Sequence, residues 1–141
     1  MRPVHRPGPR RWALLAAAIL AVSGLAAGCS SSKPAYCTDA ANLKTSVQDL
    51  GNVNINVHDL SSVNTAVSKV QADAKTFAAD AKSAYPSQTT ALQNSLSSLQ
   101  TAVKSAMSQP SATTVAAVVS SVAQVKTAAG NVQTAVKGAC Q

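Results

Sequence analysis

The sequence predicts an all-α domain: an antiparallel, up-down helical bundle of three long helices and one short N-terminal helix, its termini joined by a disulfide. Three observations carry that expectation. Apolar residues recur at alternating spacings of three and four from Ala40 to the end of the chain, the periodicity of a helix with one buried stripe. Pro86 and Pro110 interrupt the pattern with short polar turns, and long helices joined by short turns fold back as antiparallel neighbours. Cys37 and Cys140 bracket nearly all of it.

The first helix is predicted over residues 38–50, with Thr38 as N-cap and Gly51 as the C′ residue. Its stripe is Ala40, Leu43, Val47 and Leu50. Residues 52–58 change period: Val53, Ile55 and Val57 alternate with Asn54, Asn56 and His58. No partner strand is visible, and a lone strand is not stable. The passage is therefore expected as an extended connection with its apolar side inward. The second helix is predicted from Asp59, as N-cap, to 85, with the stripe Leu60, Val63, Val67, Val70, Ala74, Phe77, Ala81 and Ala84. Pro86 should end it, because the residue before a proline is biased away from helix.

The third helix is predicted over 87–108, on Leu92, Leu96, Leu99, Val103 and Ala106. Ser111 should cap the fourth, which runs to 137 on Val115, Val118, Val122, Val125, Ala129, Val132, Val136 and Ala139. Gly130 lies inside that helix and costs about 1 kcal/mol relative to Ala. At ~1.5 Å per residue the first helix is ~20 Å long and the second ~40 Å. The extended connection can span ~26 Å and covers the shortfall. An up-down path then returns Cys140 to the end where Cys37 begins, as a disulfide requires. Closing a loop of ~100 residues stabilises by about 4.7 kcal/mol in chain-entropy terms.

The core is built from small side chains, mostly Val and Ala, with Leu on the third helix and Phe77, Tyr85 and Tyr36 as the aromatic contribution of the domain. A buried Val or Leu contributes ~1.5–3 kcal/mol and Ala much less. The polar faces are Ser, Thr, Asn and Gln; the chain has no Glu. That bias resembles low complexity, but disordered segments lack a stripe that keeps phase.

Ahead of the domain stands a different kind of sequence. Arg2, Arg6, Arg10 and Arg11 form a basic start without acids, and residues 12–27 follow without a charge, dominated by Ala and Leu. A positive region, a short apolar run and small residues at its close make a secretory signal. The run falls short of the ~20 residues a bilayer-spanning helix needs. It closes in Leu25-Ala26-Ala27-Gly28-Cys29. Residues 1–28 are thus expected as a signal peptide, Cys29 as the lipidated first residue of the mature chain, residues 29–36 as a flexible tether, and 37–141 as the bundle. The Ser30–Ser32, Lys33 and Pro34 run suits a spacer. The seven residues from Ser30 to Tyr36 reach at most ~25 Å, so the domain would sit close to the membrane.

Residues 1–29 resemble the bacterial prolipoprotein class. They depart from its commonest pattern in one place, where Ala26 stands three residues before the cysteine and Leu25 one further back. Ordinary cleavage after Ala27 is the alternative. The mature part resembles the short helical lipoproteins of actinobacteria in its signal, its Ala/Val/Thr/Ser composition and its flanking cysteine pair, and that likeness carries no activity across.

Cysteine arithmetic points the same way. The chain has three cysteines, Cys29, Cys37 and Cys140, and an odd count in an exported protein leaves a thiol to explain. A lipid on Cys29 explains it, and export puts Cys37 and Cys140 where a disulfide persists.

The formal charge of the whole chain is +7, and four of its twelve basic residues are the leader arginines. From Cys29 onward, eight lysines oppose Asp39, Asp49, Asp59, Asp73 and Asp80, leaving +3. Past residue 11 there is no arginine for bidentate phosphate contacts, and no basic–aromatic interleaving for nucleic acid. Catalytic sets are missing as well. His58 is the sole histidine of the mature chain, and scattered aspartates do not supply the three or four convergent ligands of a metal site. Lys69, four residues before Asp73, suits an ordinary surface ion pair.

The sequence therefore points to a non-catalytic lipoprotein on the outer face of the cell membrane, held by a lipid on Cys29. It would serve as an envelope interaction or structural module, without cofactor, metal or nucleic acid. The alternative is a bundle that binds a small or apolar ligand between its helices. Its partners would then be the membrane and either an envelope protein or such a ligand.

Overall fold

The computed structural model describes residues 32–141. The leader, its cleavage point and the lipidation expected at Cys29 lie outside the described residues. Four α-helices follow one another: α1 (Ala35–Asn52), α2 (Leu60–Ala81), α3 (Pro86–Ser108) and α4 (Ala112–Val136). No strand occurs among the described residues. Each helix packs on two others, α1 on α2 and α4, and α3 on α2 and α4. The α3–α4 seam is the most extensive and α1–α2 the next; the α2–α3 and α1–α4 seams are clearly smaller.

The heptad stripes turn inward. Leu43, Leu50, Phe77, Leu92 and Leu99 are fully buried, with Val63, Val70, Val118, Val125 and Val132 between them. One contiguous core results, edged by Tyr36, Val53, Ile55, Tyr85 and Cys140. The last stripe residues of two expected helices, Ala84 and Ala139, are exposed instead, because both helices end before reaching them.

The helix ends differ from expectation in four places, each with a local cause. Helix α1 starts at Ala35, inside the segment expected as tether, and Pro34 rather than Thr38 holds the N-cap position. The Pro34 carbonyl accepts from the Cys37 N–H at 2.9 Å. Tyr36 is anchored there by an edge-to-face contact with Tyr85, ring centroids 5.4 Å apart. At its other end α1 runs through Gly51 to Asn52. Gly51 is no left-handed cap; the Lys126 side chain lies across it, its ammonium 3.4 Å from where a Cβ would stand.

Helix α2 stops at Ala81, a full turn before Pro86. The Ala81 carbonyl accepts from Ala84 at 3.0 Å and from Tyr85 at 2.7 Å, closing a tight turn. Pro86 then opens α3, at the first helical position, where a missing N–H leaves nothing unbonded. The connection after α1 begins extended at Val53 and turns at Val57–His58, and only Val53 and Ile55 pack against the core; Val57 is 39% exposed. The alternation fails because the Asn56 Oδ1 accepts from the His58 N–H at 2.8 Å and bends the chain.

The start of α4 follows expectation. Ser111 Oγ accepts from the Thr114 N–H at 3.2 Å, and the Ser111 N–H donates to Thr114 Oγ1 at 3.0 Å. This reciprocal pair is a capping box, with Thr in place of the usual Glu or Gln.

Candidate functional site

Cys37 and Cys140 form a disulfide with Cα atoms 5.5 Å apart, across a sequence separation of 103. Helix α1 presents Cys37 in its first turn, and the turn after α4 presents Cys140, whose N–H donates to the Val136 carbonyl at 3.0 Å. One further polar link joins these two helices: Gln133 Nε2 donates to the Ala40 carbonyl at 2.6 Å, partly shielded from water.

The charged residues sort by helix. Asp39, Asp49, Asp73 and Asp80 all lie on α1 and α2, whereas α3 and α4 carry no acid. Lys69 does not pair with Asp73 as expected; its Nζ meets Asp49 Oδ2 of α1 at 2.9 Å. That hydrogen bond, and then the Asp49 charge, raise the lysine pKa. Both side chains are more than half exposed, so the pair adds little to stability.

Asp39 is the electrostatically strained group. One of its carboxylate oxygens is buried without a hydrogen-bond partner. Loss of water around it, then the nearby Asp80 and Asp73, push its pKa up. His58 is exposed in the turn before α2. No group of three or more His, Cys or Asp side chains that could hold a metal occurs among the described residues. No helix among them is long and apolar enough to cross a membrane.

The seam between α1 and α4 contains a cavity of about 190 Å³. Val47 and Ala129 line it, with Lys44 from α1, and Lys126, Gly130 and Gln133 from α4. It differs from the ligand space expected within the bundle: it opens between two helices at the surface, and only Val47 and Ala129 come from the core stripes. Its polar residues were not singled out by sequence reading. Gly130 enters that reading only as a weakness in its helix. The visible signal was that unexplained glycine one turn after a lysine.

No family model, curated protein or solved structure matches this chain.

Proposed function

We propose that this protein is an exported, lipid-anchored module of the bacterial envelope, without catalytic activity, held on the outer face of the cell membrane through Cys29. One observation carries the reading. With Cys37 and Cys140 bonded to each other, Cys29 is the unpaired thiol of the chain, and it stands where a basic, apolar, small-residue leader closes. A lipid on its sulfur accounts for both facts. The side chains the domain presents, mainly Ser, Thr, Asn and Gln with few charges, suit contact with another envelope component rather than chemistry.

The domain itself is an antiparallel up-down bundle in this reading. Contacts between distant positions support that path: Cys37 with Cys140, Tyr36 with Tyr85, Ala40 with Gln133, and Asp49 with Lys69. An antiparallel path accounts for the start of α1 meeting the residues after α2 and α4, and for Asp49, near the end of α1, meeting Lys69 in the first half of α2.

Mass spectrometry of the membrane fraction tests the anchor. The mature N-terminus should be an acylated Cys29, and Cys29→Ala should lower the membrane-bound share at least tenfold or leave an uncut precursor. An unmodified N-terminus upstream of Cys29 in the native protein ends the proposal.

A further inference from the structure

We infer that the α1–α4 cavity is a binding site for a small anionic amphiphile, an apolar chain or ring of about six to eight carbons carrying a carboxylate or phosphate head; an apolar cavity of ~150 Å³ takes benzene. The site adds ligand binding to the module and does not depend on how the chain is anchored.

Its walls are apolar and its ends are defined. Val47 and Ala129 form the floor. Gln133, bonded to the Ala40 carbonyl, bounds one end. At the other, Lys126 arches over Gly51. The volume, about 190 Å³, is below the ~300–1,000 Å³ of pockets for drug-sized ligands, which sets the size of the guest.

The charge at the rim sets its sign. Lys44 and Lys126 both line the cavity, and neither is ion-paired among the described residues. Asp49, the acid nearest in sequence to this part of α1, is engaged by Lys69 of α2, and α3 and α4 offer no acid at all. Two unneutralised ammonium groups over an apolar floor match a negative head on a short apolar body.

Gly130 supplies an independent observation. A glycine in the interior of a helix is destabilising, and packing does not require this one: a Cβ placed there meets nothing within 4 Å. Gly130 itself lines the cavity at its exposed side. Occupation by a guest explains why a helix-weakening residue stands at that point.

Photolabelling of the purified full chain, whichever fraction it is recovered from, tests the site. The probes are eight-carbon diazirine chains ending in a carboxylate, a phosphate or a neutral hydroxyl. The acid and phosphate probes should mark peptides containing residues 44–51 and 126–133, and the alcohol at least tenfold less. Excess octanoate should suppress the labelling. Gly130→Leu, which fills the space, and Lys44→Gln with Lys126→Gln, which removes the charge, should each reduce it at least tenfold, while circular dichroism keeps the helical signal. Labelling spread over the whole surface, equal labelling by the alcohol, or labelling indifferent to both variants overturns the assignment.

Discussion

The α3–α4 seam and the α1–α4 seam are held together by different means. The first is the most extensive contact of the bundle. It is closed at its turn by the Ser111–Thr114 capping box, and its two helices bring the fully buried Leu92, Leu99, Val118 and Val125 to the core. Nothing covalent crosses it. The second seam is much smaller, carries a cavity open to the surface, and is bridged by the Cys37–Cys140 bond and the Gln133–Ala40 hydrogen bond. Neighbouring helices in sequence find each other through short loops, at little entropic cost. Helices α1 and α4 are the most distant pair in the chain, and their seam carries the staple.

Removing the staple is the strongest way to test that contrast. Reduction, or Cys37→Ser with Cys140→Ser, should cost ~2–5 kcal/mol. Hydrogen exchange should show α1 and the last turns of α4 losing protection first, with α3 and the start of α4 still protected. An unmoved melting curve means that the α1–α4 seam is self-sufficient and the contrast false.

A smaller change probes the other seam. Ser111→Ala removes half of the capping box and should cost ~1 kcal/mol, read as a lower denaturant midpoint with an unchanged slope. Exchange should rise at the start of α4 and leave the Cys37–Cys140 end untouched. Loosening that appears first at the disulfide end contradicts the independence of the two seams.

The smallest effect concerns the acidic half. The folded-state pKa of Asp39 is raised above its ordinary 3.8 by desolvation and by Asp80 and Asp73. The folded chain therefore holds that proton more firmly than the unfolded chain does. The corresponding stability is fully present below pH 3.8 and is lost as pH rises through the elevated folded value. Asp39→Asn should raise the melting temperature at pH 7 by about 1–3 °C, a surface-scale effect, and by nothing near pH 3. A lower melting temperature at neutral pH means that the carboxylate is favoured where it stands.

Periodicity carries much of this structure and misses a definable part. Most of the stripe residues read from the sequence are buried, from Ala40 to Val136, with Val115 half-buried and Ala84 and Ala139 exposed, because a heptad pattern states which face of a helix leaves water. It does not state which helix stands beside that face. Lys69 was therefore matched to Asp73 on its own helix and is found on Asp49 of the neighbour. The Gln133–Ala40 bond was invisible for the same reason, and so was the cavity beside it. Pro86, which the sequence suggests as the end of one helix, is the first residue of the next; a proline suits either role, and the turn closed by the Ala81 carbonyl decides between them. The disulfide was legible because chain arithmetic and path length constrained it together.

The position of that bond also governs how the domain bears load. Tension entering through residues before Cys37 reaches a branch point, where one route follows α1 and the other crosses the sulfurs to Cys140 and α4. A force between the upstream segment and a grip inside the bundle is shared between two helices in parallel. Peeling α1 away from its N-terminal end is blocked, since that end is tied to the opposite end of the chain. Mechanical opening has to begin at the interhelical turns, and a pull between the upstream segment and Gln141 passes through the sulfur bridge after loading only the first turn of α1, Ala35 to Cys37.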